Sequence, residues 1–219
     1  MKILSIDTSS NICSVSILED TNIIAQIHLN NGKTHSENLM TLIQQALQEA
    51  NITLQGIQLL ACCKGPGSFT GIRIGIATIN AMAEVLKIPV IGVSSLQALA
   101  YNENFAGTTV ALIDARNNQV YAGVFDENHN PKADYLAEDI DEVIQKLQNE
   151  NGPILFIGDG AILHNEKLTK MGIISDKNEQ TSVSIALAAF DKYNKGESGA
   201  EVMPLYLRKS QAERMRQNK

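Results

Sequence analysis

The chain has 219 residues, 44% of them hydrophobic and 19% charged, and a formal net charge of −6. That length and apolar share suffice for one large domain or two small lobes with a real core. The negative charge argues against a protein that binds nucleic acid alone, because phosphate neutralisation supplies most non-specific affinity for RNA. No run approaches the roughly 20 apolar residues of a membrane span. Ser5 and Asp7 interrupt the first apolar run, so no secretory signal is expected and the chain is assigned to the cytoplasm. Cys13, Cys62 and Cys63 are unevenly placed, and the adjacent pair would point to opposite faces of a strand. They read as small buried apolar residues in a reducing compartment, neither a disulfide framework nor a zinc site.

Strands are expected over 2–6, 12–18 and 23–29, then a helix over about 36–50. Thr34 stands three residues before Glu37, a capping-box spacing, and Leu39, Ile43, Ala46, Leu47 and Ala50 form one stripe. A strand over 57–63 hands over to the run Lys64-Gly65-Pro66-Gly67-Ser68-Phe69-Thr70-Gly71-Ile72-Arg73-Ile74-Gly75. Glycines, a capping Ser68 or Thr70 and a helix start can cradle an anion. The same parts also make a tight turn that lets a helix pack closely. This is not a Walker loop: no Gly-Lys-Ser/Thr follows, and Pro66 removes one N–H donor. The helix over about 70–86 has apolar residues on two sides, Ile72, Ile76, Ile79, Ala83 and Leu86 on one, Ile74, Ala77, Ala81 and Val85 towards another. Either its own lobe covers it all round or one side meets a second chain.

A strand over 90–93 follows, and Asn102, Glu103, Asn104 and Gly107 break the periodicity near 101–107. Beyond that break the pattern repeats. Ile6-Asp7-Thr8-Ser9-Ser10-Asn11 lies between two strands, and Ile113-Asp114-Ala115-Arg116-Asn117-Asn118 lies between strands over 109–113 and 119–125. Two similar lobes, 1–104 and 105–219, are expected, each opening with an Asp-bearing hairpin. Turn chemistry alone also places Asp and Asn in hairpins. A strand over 154–157 then leads into Gly158-Asp159-Gly160-Ala161, and the chain closes on the basic cluster of residues 208–219. That cluster reads as a solvated end or as a contact for tRNA or an acidic partner.

The wording Gly65-Pro66-Gly67-Ser68-Phe69-Thr70-Gly71-Ile72-Arg73 resembles the signature of the TsaB (YeaZ) family of bacterial tRNA threonylcarbamoyladenosine biosynthesis proteins. Ile6-Asp7-Thr8-Ser9, His35-Ser36-Glu37-Asn38-Leu39 and Gly92-Val93-Ser94-Ser95-Leu96 agree with it in order. The likeness is densest over the first hundred or so residues, with Pro204-Leu205-Tyr206-Leu207-Arg208 at the end. The resemblance implies an α/β fold of two similar lobes like actin, Hsp70 and hexokinase. It also implies a possible nucleotide cleft at Asp7, Thr8, Ser9, Asp114, Gly158 and Asp159.

It further implies a scaffold for the catalytic subunit TsaD, which transfers a threonylcarbamoyl group to N6 of adenosine 37 in tRNAs reading codons that begin with A. TsaE would join the complex, tRNA would be met only through it, and ATP or ADP would bind within it rather than as an intrinsic cofactor. The expected partner surface is His35, Leu39, Ile43, Ile72, Ile76, Ile79 and Ala83, used by TsaD or, in its absence, by a second copy. TsaD binds metal through a His-x-x-x-His pair. Here only His35 is present and the position four on is Leu39, so no metal set is expected. The competing reading is a stand-alone phosphotransferase using Asp7 and Asp114 to hold magnesium.

Overall fold

The computed structural model describes residues 1–32 and 34–208; the basic residues 209–219, offered above as a tRNA or partner contact, lie outside them. The first sheet is built from β1 (Lys2–Asp7), β2 (Cys13–Glu19), β3 (Asn22–Leu29), β4 (Leu59–Gly65) and β5 (Val90–Ser94), in the order β3-β2-β1-β4-β5. β1, β2 and β3 are an antiparallel meander, and β4 and β5 join β1 in parallel. The second sheet holds β6 (Thr108–Asp114), β7 (Gln119–Phe125), β8 (Leu136–Asp139), β9 (Ile154–Ile157) and β10 (Ile173–Ile174). Its order, β10-β9-β6-β7-β8, and its strand directions repeat the first, strand for strand. Asp7 and Asp114 each end the first strand of a sheet, opposite Ser14 and Val120. The duplication expected from the two hairpins is present.

Alternating side chains divide the first sheet into two cores. Leu4, Ile6 and Cys62 pack under α1 (His35–Glu49) and α2 (Phe69–Leu86), while Ile3, Ala61 and Cys63 pack on the other face. The two adjacent cysteines thus enter different cores, and all three are buried free thiols. Glu37 accepts from the Thr34 N–H at 3.0 Å and hydroxyl at 2.7 Å, closing the start of α1 as the spacing predicts.

The helices do not respect the division at 104/105. The other face of the first sheet is covered by α7 (Ser182–Asn194), through Ile185, Ala186, Ala188 and Ala189. Conversely α3 (Ser95–Ala100) sends Leu96, Leu99 and Ala100 into a core with Ala111, Ile113, Phe125 and Ile157 of the second sheet. The opposite face of that sheet meets α4 (Ile140–Leu147), α5 (Asp159–Leu163) and α6 (Asn165–Leu168). A contiguous 105–219 lobe is therefore corrected: each sheet has two apolar faces, and each half of the chain supplies a cover for the other's.

A second correction concerns the expected partner surface. Leu39, Ile43, Ile72, Ile76, Ile79 and Ala83 are all buried, none more than 6% exposed. α1 and α2 lie on the same face of the first sheet, so these stripes fill the space between helices and sheet instead of facing out. The second side of α2 does face out: Ala77 and Ala81 are exposed, Ile74 is half-buried, and Val85 is 80% exposed. Among the described residues α2 is the one helix long and apolar enough by composition to cross a membrane. Its buried side belongs to the first-lobe core.

Candidate functional site in the cleft between the lobes

The first hairpin is stapled to the start of α2. The Ser68 N–H donates to the Ser9 carbonyl at 2.7 Å, and the Thr8 hydroxyl donates to the Gly71 carbonyl at 2.8 Å. Ser68 caps the helix, its hydroxyl accepting from the Gly71 N–H at 3.3 Å. A Cβ at Gly67 would overlap the Ser9 carbonyl oxygen, one at Gly71 the Thr8 carbonyl oxygen, and one at Gly75 the Thr8 hydroxyl. Gly65 has φ +103° where the chain leaves β4, a conformation that favours glycine. Gly67, Gly71 and Gly75 therefore admit the chain's own first hairpin, and the tight-turn reading accounts for them.

Beneath the hairpin lies Asp7, 1% exposed. Its Oδ1 accepts from the Ser9 N–H at 2.8 Å and from the Ser9 hydroxyl at 2.6 Å, and the Ser9 oxygen also stands 2.9 Å from the Gln180 amide oxygen. Oδ2 is buried without a hydrogen-bond partner. Burial raises the carboxyl above the ordinary carboxylate range, with the Ser9 bonds and the charge of His35 acting in the opposite direction. His35, at the first position of α1, lies 2.8 Å through Nε2 from the Ser10 carbonyl. A carbonyl only accepts, so Nε2 carries the proton; Nδ1 is buried and unpartnered. His35 is thus a half-buried clamp on the hairpin.

The state of Asp7 sets a pH signature. A carboxyl raised in the folded protein contributes stability below its unfolded value and loses it as pH rises through the folded value. Asp7→Asn removes that loss. The variant is expected to gain on wild type as pH rises from near the ordinary carboxylate value of 3.8 towards neutrality. Urea denaturation of both proteins at pH 4 and pH 7 measures it; a difference that is constant or shrinks with pH contradicts the assignment.

Across the cleft, Asp114 Oδ1 accepts from the Arg116 N–H at 2.8 Å, and Oδ2 pairs with the Arg116 guanidinium at 3.2 Å. The Asp114 N–H donates to Asp159 Oδ1 at 3.0 Å. Asp159 opens α5 just after Gly158, whose φ is +107° and whose N–H donates to Asn178 at 2.8 Å. A Cβ at Gly158 would overlap the Leu112 carbonyl oxygen, so this turn too is filled by the chain itself. The cleft, about 330 Å³, is lined by Ser9, Ser68, Asp114, Arg116, Asp159 and Gln180 among others. Of the six residues expected there, Ser9, Asp114 and Asp159 line it. Thr8 is buried under the hairpin with Asp7, and Gly158 lies behind Asp159. Gln180 and Asn178 come from the far end of the chain, and no local motif marks them. Among the described residues no group of three His, Cys, Asp or Glu is placed to hold a metal ion.

The model of the TsaD family, tRNA N6-adenosine threonylcarbamoyltransferase, matches residues 21–213. The tRNA threonylcarbamoyladenosine biosynthesis protein TsaB of Bacillus subtilis is 30% identical, over 97% of this chain and 96% of its own length. The chain belongs to the TsaB family. YeaZ from Pseudomonas aeruginosa superposes with a TM-score of 0.81 at 25% identity, covering 94% of this chain and all of that one. At the level of fold alone, the ROK hexokinase from Thermus thermophilus superposes with a TM-score of 0.56 at 12% identity, over 90% of this chain and all of that one. The chain therefore shares the two-lobe fold with that hexokinase, as the resemblance implied.

Proposed function

We propose that this chain serves tRNA threonylcarbamoyladenosine biosynthesis in the cytoplasm as a non-catalytic subunit that docks on TsaD and supports its transfer reaction. The observation that carries this reading is the occupancy of the places where a phosphotransferase of this fold needs open backbone. Gly67, Gly71 and Gly75 are taken up by Thr8 and Ser9, and Gly158 by Leu112. Asp7, the obvious magnesium carboxylate, is engaged by Ser9 and closed to solvent.

The docking surface in this reading is the outward side of α2, Ile74, Ala77, Ala81 and Val85, an exposed apolar stripe of the kind that marks association. Met40 of α1 is exposed on the same lobe. The occupant is TsaD, whose family model this chain itself matches, so that two related folds pair. A second copy of this chain occupies the same face when TsaD is absent, TsaE joins the assembly, and tRNA is met only through the complex.

The purified chain alone is expected to hydrolyse ATP no faster than background and to carry no stoichiometric transition metal. Steady turnover that Asp7→Asn abolishes would favour the phosphotransferase alternative instead. For that alternative, the Asp114 and Arg116 hairpin facing an open cleft is the best support.

A further inference from the structure

The last described segment, residues 199–208, runs from one lobe to the other. It starts on the first sheet, where Gly199 pairs with Val90 at the free edge of β5. Val202 is buried in the first-lobe core, and the Asn80 side chain grips its backbone from both sides: Nδ2 donates to the Val202 carbonyl at 3.0 Å and Oδ1 accepts from its N–H at 2.9 Å. The Leu205 N–H donates to the Lys64 carbonyl at 2.7 Å, beside Gly65, where a Cβ would stand 2.9 Å from the Leu205 carbonyl oxygen. Tyr206 then stacks on Phe69, ring centroids 4.3 Å apart and planes within 1°, and its hydroxyl accepts from Arg73 Nε at 2.8 Å. From there the chain crosses over. Leu207 packs into the second-lobe core, and Arg208 donates to the Ala115 carbonyl at 3.3 Å with its guanidinium over the Tyr121 ring.

We propose that residues 199–208 are a cross-lobe clasp that sets the angle between the lobes, and with it the opening of the cleft between the Asp7 and Asp114 hairpins. Two-lobe folds hinge unless the interface is large and apolar, and α3 and α7 already supply part of such an interface. Here one segment holds both the base of the first hairpin, through the Gly65–Phe69 turn, and the second hairpin, through Ala115 and Tyr121. Its two ends differ. The first-lobe end is buried and doubly bonded, whereas the second-lobe end is held by a single 3.3 Å hydrogen bond and the Tyr121 ring contact of Arg208, so this is the end from which the clasp opens. Tyr206 and Arg73 lie at the surface at the start of α2, so a ligand seated there acts on the same segment that holds the second hairpin.

The test is an interlobe distance. Cys13, Cys62 and Cys63 are buried, and burial pushes the Cys13 and Cys63 thiols up to about 11 and about 12, so they resist labelling. Spin labels on introduced cysteines at the exposed positions Gln45 and Glu142, one per lobe, then report the angle in the full chain. The double variant Tyr206→Ala with Arg208→Ala is expected to broaden and shift the distance distribution while far-UV dichroism stays at the wild-type level. The single variants, which disturb folding less, move it in the same direction. Leu42→Ala, a cavity in the first-lobe core at a residue outside the clasp, is expected to lower the melting temperature without broadening the distribution. A wild-type distribution in the clasp variants overturns the proposal, as does equal broadening by Leu42→Ala.

Discussion

Gly71→Ala is expected to lower the melting temperature by roughly 6–12 °C, or to prevent folding. The missing methyl would sit on the Thr8 carbonyl oxygen, a backbone atom that cannot swing aside, and the His35 ring is on the same side, 3.1 Å away. Relief requires either α2 or the first hairpin to withdraw. The hairpin is held by Asp7, by the Ser68 to Ser9 bond and by the His35 clamp, and α2 is packed into the core by Ile72, Ile76 and Ile79. Overpacking of this kind costs about 3 kcal/mol or more, and each kcal/mol is worth roughly 2–4 °C in a chain of this size. Gly56→Ala is the control: its Cβ would meet only Ile52, at 4.0 Å, and the shift should stay within about 2 °C. A Gly71→Ala protein that melts with wild type would mean that the hairpin is free to move and that the glycines serve something other than close packing.

Ala81→Lys is expected to abolish capture of the chain by TsaD, and its self-association when TsaD is absent, while the isolated chain melts within about 2 °C of wild type. Ala81 is exposed on α2, so a lysine there costs the monomer little. Seated at the centre of an interface, the same ammonium is desolvated without a partner, which costs several kcal/mol. Ile43→Lys makes the opposite expectation, because Ile43 is 2% exposed in the first-lobe core and the substitution should unfold the chain outright. Sedimentation and co-purification with TsaD measure the first variant; thermal melting measures the second. If Ala81→Lys still binds TsaD with wild-type strength, the outward side of α2 is not the docking surface and the scaffold reading loses its structural basis.

Local signals in the sequence sufficed for every strand but β8 and β10, for α1 and α2 though not α7, for the repeated Asp-bearing hairpins and for the family. These rest on local signals: period-two and period-3.6 alternation, the Thr34/Glu37 cap, and a glycine-rich run whose order is specific. The adjacency of Cys62 and Cys63 was enough to place them on opposite faces of β4, because a strand has no other way to display neighbours.

Tertiary structure decided which apolar stripe is core and which is surface. Ile72, Ile76 and Ile79 and the set Ile74, Ala77 and Ala81 have the same helical spacing, and only the position of the sheet and of α1 distinguishes them. It decided the exchange of α3 and α7 between lobes, since a helix pattern says that a face must be covered but not by which sheet. It also decided that Asp7 is closed off, Gln180 reaches Ser9, and residues 199–208 span both lobes. Those are contacts between residues far apart in the chain, created by topology, and no local periodicity encodes them.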